Sequence, residues 1–581
     1  MRENIIKFLR KPWFIVSAAL LLLFVCGLIV YFALRSVPAP FAGAGTEEDP
    51  YLIGNSEDLY AFAEYAGNAS DGHAGEHFLL TADIDLQGRE WVPAANGASA
   101  FAGVFDGNGH TVSHFTVRPE RAGTGFFAAI RGGDSAGIYD LTLRGVTVET
   151  DEDAHSLGAL VGRASARIQN CTVEARISLT GATAYVGGIV GYSDSAVVGC
   201  ESEGEMLVEA AERLSGSNST YEWPYYGGIV GNANGNAENC VNRMKLSFTR
   251  ALSDGSVDRN IHIGGVCGNA AGERYTDLVN EADISGVGAV GGVIGTIGSP
   301  AAVVQGCANY GTLFTTGDIL CDIGGIVART YTTEDTLPLI ENCYNEGDIS
   351  LVSLLNGSVQ GGFRMISCWA GGIVGAGNFN LSSCASVCDI DVSGANTHYV
   401  GGVAGGMTGA MKDSYHRGDV IVSSQSSVIA GGVVGVLQSL EYYNGKIEDL
   451  LISMERCYNV GLVCVKLADE PLSAAANYLA GGVVGYNMRA ENTIRYNYFD
   501  ADVRAAATVP EGYIGYIYWY GEEVPGQAEN VASETISSNA GLSDGGLKGK
   551  GAEGFAEYGS GGQNAVWVFA EGEYPVLYWQ Q

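Results

Sequence analysis

The stretch VGGIVG, Val186 to Gly191, holds three glycines in six residues. A buried strand seldom contains so much glycine, because glycine costs backbone entropy and offers no side chain to pack. The same pattern recurs ten times, with its first glycine at Gly158, Gly187, Gly227, Gly264, Gly291, Gly324, Gly371, Gly401, Gly431 and Gly481. A motif repeated at intervals of tens of residues predicts an array of structural repeats and not several unrelated domains.

The content of one repeat indicates its fold. We interpret the glycine-rich segment, the cysteine-bearing segment that follows and a third apolar run as three strands per repeat. Spacings of 27 to 30 residues recur and longer ones reach 40, 47 and 50, as expected if a fixed coil accepts insertions at its turns. Helices are incompatible with 84 glycines, and a propeller blade needs a fourth strand. The sequence predicts an all-β, right-handed parallel β-helix of about ten coils from about Phe78 to Phe499.

Comparing the copies separates the glycines by role. The first glycine is present in all ten copies, whereas Ala159 replaces the second once and Ala328 replaces the third once. A position that accepts alanine needs only a small residue. The invariant first position therefore needs either positive φ or very close backbone approach.

The cysteines follow the repeat. Four of them lie 13 residues after the first glycine of their copy, and three more share the sequence context, which gives the set Cys171, Cys200, Cys240, Cys384, Cys307, Cys343 and Cys457. Leu278 and Ser414 occupy the equivalent slots in other copies. Since cysteine packs as a small apolar side chain, we expect a buried, reduced column and not obligatory disulfides. No CxxC pair suggests zinc.

A membrane helix is predicted at the N-terminus. Trp13 to Leu34 is an uncharged run of 22 residues, long enough to cross a bilayer as a helix. It is longer than the apolar core of a cleaved signal, and cleavage within SVPAPFAGAG is the alternative. Arg2, Lys7, Arg10 and Lys11 precede it, so the positive-inside rule predicts a single-pass cell-membrane protein whose C-terminal ectodomain is extracellular.

The predicted organisation has six parts. They are a cytoplasmic basic tail (1–12), the transmembrane helix (13–34), a linker (35–50), an N-terminal cap with the first β-helix coils (51–150), the repeat β-helix (151–500) and a C-terminal capping region (501–581). The net charge of −34 makes nucleic acid an improbable partner and favours solubility of a large surface protein.

The repeat resembles a known family. The glycine-rich strand followed by NCYNEGDI, Asn342 to Ile349, is similar to the GLUG repeat of bacterial cell-surface proteins, which include adhesins and the ectodomains of some Gram-positive peptidases. The resemblance covers about Gly158 to Asn497. DPYLIGNSEDLYAFAEYAG and the segments after it resemble the opening of such ectodomains, and WVFAEGEYPVLYW, Trp567 to Trp579, resembles their closing segment. The resemblance implies a solenoid on the bacterial surface, and it gives little information about activity.

Both ends of a solenoid need covers, because open sheet edges pair with other chains. Ser56 to Ala66 has an N-cap serine and apolar Leu59, Phe62 and Ala63 at helical spacing, so we expect a capping helix. At the other end, Tyr516 to Tyr520 favours an apolar cap, with a glycan platform as the alternative.

Two sets of residues resemble parts of known active sites. HAGEH, His73 to His77, matches an inverted zinc-peptidase motif, but its glycines disfavour the helix that such a site needs, so we expect surface histidines. Asp83, Asp85 and Asp106 suggest a carbohydrate-active enzyme on a β-helix, yet turn formation explains them equally well. We therefore expect no enzyme, no catalytic or metal-binding residues and no cofactor.

Two functions remain for this chain: it binds a ligand at the cell surface, or it serves as a structural stalk. The insertions at Glu212 to Tyr226 and Leu437 to Met454 are long and aromatic, which favours a surface adhesion or ligand-binding role. The candidate ligand-binding residues are Tyr221, Trp223, Tyr225, Tyr442 and Tyr443. We expect the ligand to be an extracellular glycan, protein or cell-wall component.

Overall fold

The structure is a computed structural model. It describes residues 40–67, 71–96, 99–120, 123–151, 154–180, 183–210, 224–250, 261–317, 321–331, 336–353, 367–437, 452–467, 478–487, 492–499 and 566–580 without 572, and the pairs 503–504, 514–515, 536–537 and 540–541. The chain divides into two compact units, Met1–Gly43 and Ala44–Gln581. The predicted membrane helix, Trp13 to Leu34, lies outside the described residues. Within them, no helix is both long and apolar enough to cross a membrane.

The second unit is built from three parallel sheets. Sheet 1 contains Tyr51–Ile53, His77–Leu80, Val104–Asp106, Phe127–Tyr139, Val161–Gln169, Val190–Ser193, Val197–Val198, Val230–Ala233, Ala237–Glu238, Cys267–Ala270, Arg274–Thr276, Ile294–Ile297, Val303–Gln305, Val327–Thr330, Leu339–Glu341, Val374–Asn378, Asn380–Ser382, Ala404–Thr408, Ala410–Lys412, Val434–Leu437, Ser453–Glu455, Val484–Asn487, Thr493–Arg495 and Ile536–Ser537. Sheet 2 contains Ile84–Trp91, Thr111–Val117, Thr142–Thr150, Thr172–Leu179, Glu201–Ala210, Val241–Arg250, Val279–Asn280, Ile284–Val287, Ala308–Asn309, Leu313–Gly317, Tyr344–Asn345, Ile349–Ser353, Ala385–Ser386, Ile390–Gly394, Tyr415–His416, Val420–Ser424, Tyr458–Asn459, Val463–Leu467, Tyr498–Phe499, Val503–Arg504 and Ala540–Gly541. Sheet 3 contains Ala154–Gly158, Thr183–Gly187, Tyr225–Gly227, His262–Gly264, Ala289–Gly291, Asp322–Gly324, Ser367–Gly371, Thr397–Gly401, Val428–Gly431, Tyr478–Gly481 and Ile514–Gly515.

The chain returns to the same sheet once per repeat, which is the arrangement of a parallel β-helix. Glu201–Ala210, for example, pairs in register with Val241–Arg250 over its whole length. The pairing begins at Tyr51–Ile53 and continues to Ala540–Gly541, so the parallel sheets extend further at both ends than predicted. Apolar side chains from the three sheets, such as Val186 and Met206, fill the interior.

The glycine motif is a bend and not a strand, so our interpretation of the repeat was wrong on this point. Thr183–Gly187 of sheet 3 ends at the first glycine, and Val190–Ser193 of sheet 1 begins three residues later. Each of the other nine motif strands of sheet 3 also ends at its first glycine, and these glycines are in register from Gly158 to Gly481. Gly515 continues the column beyond the ten predicted copies.

Close backbone approach explains the invariant first glycine. A Cβ on Gly291 would lie 1.8 Å from the carbonyl oxygen of Ile294, and one on Gly264 would lie 1.9 Å from that of Cys267. Positive φ is not the reason, since no first glycine of the ten copies has it. The two strands that flank the bend therefore pack backbone against backbone.

The cysteine column lies at the corner between sheets 1 and 2. The residue before each column position has left-handed backbone, a conformation that asparagine and glycine favour, as in Asn170 and Asn239, and that Ser383 and Arg456 also adopt here. The cysteines are buried, and the Cys200 thiol lies 3.4 Å from the carbonyl oxygen of Val198. Leu278 and Ser414 occupy the same column, as predicted. Their carbonyl oxygens accept the inter-coil hydrogen bonds that the carbonyl oxygens of the cysteines accept on other coils.

This column leads to a testable prediction. Burial raises the pKa of the Cys307 and Cys343 thiols well above the usual range, which makes them poor nucleophiles. We expect few of the thiols to react with a thiol reagent in the native chain and nearly all to react in denaturant without reductant. Thiols that stay protected in denaturant until a reductant is added would show that the column is bridged by disulfides.

An asparagine ladder runs inside sheet 2, two residues after the cysteine position. The amide of Asn242 donates to Asn280, that of Asn280 to Asn309 and that of Asn309 to Asn345, each at 2.7 Å. Ser386 and His416 continue this column before Asn459 restores asparagine. The ladder satisfies buried amides from coil to coil and so fixes the register of the stack.

The predicted capping helix, Ser56–Ala66, forms with the expected bounds. Its N-cap is Asn55, whose side chain accepts from the backbone N–H of Asp58, and not Ser56. Leu59, Phe62 and Ala66 are its buried residues, so Ala66 takes the place predicted for Ala63. Phe62 packs against the rings of four phenylalanines of the first coils, Phe78, Phe101, Phe105 and Phe127.

The C-terminal segment packs against the side of the coils and not over an end as a cap. Trp567–Val568 and Val576–Leu577 form an antiparallel pair, and a 3-10 helix, Tyr578–Gln580, follows. Trp567 and Leu577 pack against a buried row of side chains on the outer face of sheet 2, namely Ala385, Tyr415, Tyr458 and Tyr498. We call residues 566–580 the strap. The aromatic stretch Tyr516 to Tyr520 lies outside the described residues.

Candidate functional site

The strands that flank each glycine bend face one another along the β-helix. Near the bend, the space between them is filled by glycine backbone. Further away, the side chain two residues before the first glycine contacts the side chain five residues after it. The ring centroids of Tyr185 and Tyr192 lie 5.6 Å apart, and Nη1 of Arg329 lies 2.6 Å from Oδ2 of Asp322. We call these two facing columns of side chains, one from sheet 3 and one from sheet 1, the seam.

The first part of the seam is aromatic. Tyr185 and Tyr225, on successive coils, stack with their planes 7° apart and their centroids 6.0 Å apart. Arg163 lies 4.4 Å over the ring of Tyr192, whose hydroxyl donates to Asp194. Burial raises the pKa of Tyr192 to about 12 and also raises the pKa of Tyr225. These half-buried tyrosines are neutral hydrogen-bonding and stacking groups.

The middle of the seam is polar and charged. Asp322 is fully buried, and burial raises the pKa of its carboxyl group although Arg329 beside it acts in the opposite direction. The ring of His262 lies 5.5 Å from that of Tyr225 and 5.7 Å from that of Tyr331. Burial, helped by Arg329, lowers the pKa of His262 to about 3. The histidine is therefore neutral near pH 7 and lies near the ion pair of Asp322 with Arg329, whose side chain is 22% exposed.

Three buried oxygen atoms in this middle part lack a hydrogen-bond partner among the described residues. They are Oδ1 of Asn269, Oγ1 of Thr296 and Oδ1 of Asp322. Asn269 and Thr296 are neighbours in sheet 1, and Thr296 is the neighbour of Arg329. These oxygen atoms lie on neighbouring coils, and a water molecule or a hydroxyl group is the size of partner that would satisfy each of them.

The last part of the seam is aromatic again. Trp369 and Tyr399 stack at 4.1 Å with their planes 19° apart. A Cβ on Gly406 would lie 2.3 Å from the Trp369 ring, so glycine at that position makes room for the indole. Trp369 also packs with Val436, with Tyr486 at the edge of the cluster.

The insertions leave the β-helix at two different places. The described strands stop at residues 210, 250, 353 and 467 and resume in sheet 3 at residues 225, 262, 367 and 478, so four insertions join sheet 2 to sheet 3. The segment 438–451 instead interrupts sheet 1. Of the predicted ligand-binding residues, Tyr225 belongs to the seam, while Tyr221, Trp223, Tyr442 and Tyr443 lie outside the described residues. The two predicted insertions do not arise from one corner of the β-helix.

The HAGEH segment does not have the geometry of an inverted zinc-peptidase motif. His73 is only 6% exposed, so our expectation of a surface histidine was wrong for this residue. Its ring nitrogens lie 2.9 Å from Glu76 and 2.8 Å from the carbonyl oxygen of Tyr65. His77 starts a strand and not a helix turn. In the described part of the chain, no three His, Cys, Asp or Glu side chains are grouped to hold a metal ion.

The early acidic residues serve as turn and inter-coil contacts. Asp83 and Asp85 are exposed, and each lies 3.1 Å from a histidine of the next coil, His110 and His114 respectively. Hydrogen bonds from backbone N–H groups are the largest cause that lowers the pKa of both carboxyls. A glycosidase pair needs one carboxyl with a raised pKa to act as the acid, and these two do not differ in that way. Asp106 accepts from the N–H of Asn108 in a tight turn, as the turn-forming interpretation predicts.

Sequence reasoning missed most of the seam. The signal was present, since the residue two before the first glycine is Tyr185, Tyr225, His262, Asp322, Trp369 or Tyr399 in six of the copies, all large or polar. The glycines of each copy have a periodic pattern, whereas the flanking positions vary in residue type from copy to copy. The pairing of this column with the one five residues after the glycine depends on how tightly the bend folds.

Comparisons with known proteins give partial matches. No family model matches the chain. A protein of Evansella cellulosilytica, provisionally named a Gly-rich membrane protein, is 31% identical over 164 residues, which are 26% of this chain and 18% of that protein. Halomucin of Haloquadratum walsbyi is 30% identical over 172 residues, 28% of this chain and 2% of halomucin. The chain thus spans less than a fifth of the length of either relative.

Among solved structures, this chain matches the crystal structure of a Bacteroides ovatus protein that is provisionally described as an immunoglobulin A1 protease. The two sequences are 17% identical, the match covers 80% of this chain and 86% of that chain, and the TM-score is 0.22. At this score, the match carries no argument about function.

Proposed function

We propose that this chain is a bacterial cell-surface protein of the GLUG-repeat type, anchored by Trp13 to Leu34, whose right-handed extracellular β-helix binds a glycan, protein or cell-wall ligand. The names of the two relatives, a Gly-rich membrane protein and a halomucin, favour a surface or extracellular location. The N-terminal apolar run with its basic flank supports the anchor and the outward orientation.

One observation carries the binding role. Four insertions join sheet 2 to sheet 3 at the same corner on different coils, and the half-buried aromatic side chains of the seam, such as Tyr185 and Tyr225, lie in the strands that follow this corner. A rigid β-helix holds such groups in place before a ligand arrives, so little conformational entropy is lost on association. A plain spacer would not need aromatic groups at this edge.

The test is to shorten insertions without cutting strands. Because Tyr225–Gly227, Val434–Leu437 and Ser453–Glu455 are paired strands, replacements by a Gly-Ser linker should be confined to residues 211–223 and 438–451. The matched control is the same replacement of residues 354–366, which occupy the same kind of corner and lack Tyr and Trp. We expect replacement of 211–223 to reduce adhesion of cells displaying the full chain by at least tenfold and the control to leave it intact.

Surface display measured with an antibody keeps the comparison fair. If every linker variant adheres as strongly as the parent at equal display, the insertions have no binding role and the chain acts as a structural stalk.

A further inference from the structure

A column of tyrosines runs along the outer face of sheet 2. It occupies the position next to the cysteine column and includes Tyr344, Tyr415, Tyr458 and Tyr498, which are in register with Ala385 between the first two. Tyr415 and Tyr458 stack with their planes 3° apart. Part of this column is covered by the strap and part is not.

The covered part shows what such a surface binds. The hydroxyl of Tyr458 donates to the carbonyl oxygen of Pro575 in the strap. Arg417 lies 4.9 Å over the ring of Tyr415 and donates to the carbonyl oxygens of Tyr574 and Pro575 at 3.1 and 2.8 Å. On this face, tyrosine rings therefore already accommodate an extended peptide together with a guanidinium group.

The strap reaches the coil that contains Ser383, where the indole N–H of Trp579 donates to the carbonyl oxygen of Ser383. Tyr344 is half-buried at the edge of the cluster that includes Trp567 and Leu577, and its ring lies 6.0 Å from that of Tyr310. Tyr310 is 49% exposed, and it is one of four large hydrophobic side chains that are exposed in the described part of the chain.

Carboxylates surround these two tyrosines. Glu281 and Glu346 lie on the coils before and after Tyr310, and Glu346 accepts from the hydroxyl of Tyr344. Asp348 and Asp389 follow on successive coils and are joined by the bond from the N–H of Asp389 to Asp348. Arg243 pairs with Glu281, but Glu346, Asp348 and Asp389 have no ion-pair partner among the described residues.

We propose that this face, formed by Tyr310, Tyr344, Glu346, Asp348 and Asp389, binds an arginine- or lysine-bearing polypeptide segment. It is distinct from the insertions and goes beyond the function proposed above. The tyrosine faces attract a cation through their quadrupoles, and the carboxylates supply complementary charge. An extended strand places alternate side chains about 6.6 Å apart, which is close to the spacing of the two rings.

The test uses the full-length protein in detergent and a fluorescein-labelled decapeptide of alternating arginine and glycine. The decisive variant is Tyr310→Leu with Tyr344→Leu, because it leaves the net charge unchanged and cannot alter a merely diffuse electrostatic attraction. We expect it to weaken binding about tenfold, as the loss of two cation–π contacts predicts. Glu346→Gln with Asp348→Asn should weaken binding by a similar factor.

Matched controls separate the face from the general acidity of the chain. Tyr60→Leu, in the helix Ser56–Ala66, and Asp134→Asn with Glu203→Gln, which remove the same charge elsewhere, should each change the affinity less than twofold. An equal loss in the charge control, no loss in the double tyrosine variant, or tighter binding of a neutral β-glucan oligosaccharide than of the peptide would overturn the proposal. A variant with residues 211–223 replaced should keep its affinity for the peptide. The peptide assay therefore tests the face at Tyr310, and the adhesion assay separately tests the insertions.

Discussion

Replacing Gly291 by alanine is expected to destabilise the β-helix by about 3–5 kcal/mol. The added Cβ would lie 1.8 Å from the carbonyl oxygen of Ile294 and 2.9 Å from the backbone nitrogen of Ala328. Both contacts are with backbone, so no rotamer change can relieve them. One of the two strands must move, which breaks its hydrogen bonds with the neighbouring coils.

Two other glycines provide matched comparisons. Gly67→Ala places a Cβ no closer than 3.8 Å to its neighbours, so it should change the free energy of unfolding by less than about 1 kcal/mol. Gly295→Ala alters a third motif glycine, where the next coil has Ala328 naturally, and its effect should be intermediate. Urea unfolding followed by circular dichroism measures the order, and hydrogen exchange should show the opening centred on the coils from Gly264 to Gly324.

If Gly291→Ala and Gly67→Ala unfolded at the same urea concentration, the first glycine would not be required by close backbone approach. The invariance of that position would then need another cause.

Acidification is expected to weaken the fold through three buried histidines. Burial lowers the pKa of His262 to about 3 and that of His398 and His416 to about 4. Above the unfolded pKa of about 6.5, these rings are neutral in both states and cost nothing. As the pH falls below that value, the unfolded chain takes up protons that the folded chain cannot, so stability is lost until the folded pKa is reached. Each ring should remove about 2 kcal/mol between pH 7.5 and pH 5.

His416 allows a precise test because it stands in the asparagine ladder. It lies 3.1 Å from the hydroxyl of Ser386, and the next coil has Asn459 in the same register. His416→Asn should match the parent near pH 7.5 within about 1 kcal/mol and exceed it by about 2 kcal/mol at pH 5. The reciprocal change, Asn459→His, should add a loss of similar size on acidification.

Urea unfolding at a series of pH values gives both differences. Parallel curves for the parent and His416→Asn between pH 7.5 and 5 would mean that the buried ring does not set the acid sensitivity.

Local sequence patterns predicted the repeat features well. The spacing of the glycine motif gave the coil, and the exchange of cysteine for Leu278 or Ser414 gave the buried column, because a repeated position sees the same neighbours on every coil. The helix Ser56–Ala66 followed from a polar cap and helical spacing of Leu59 and Phe62, which are local properties. These features depend on residues close in sequence or on strict periodicity.

The candidate sites were harder to predict, since they join residues that are distant in sequence or in unlike segments. The indole N–H of Trp567 lies 3.2 Å from Asp413, 154 residues away, and no pattern relates the two. His73 looks like a surface residue until the helix packs and brings the carbonyl oxygen of Tyr65 to its ring. The sequence predicts Tyr225 as part of an insertion, whereas it is a strand residue of the seam.

The sequence by itself determined that this chain forms stacked β coils with a buried cysteine column, because each coil repeats the same local choices and parallel pairing needs only matching periods. The tertiary structure alone decided which side chains meet across the bend and where the strap lies. Facing columns such as Asp322 and Arg329 exist only once two strands have closed to backbone contact, and the strap meets the coils through contacts such as that of Trp579 with Ser383. Both outcomes depend on distances between separate segments, which no local pattern encodes.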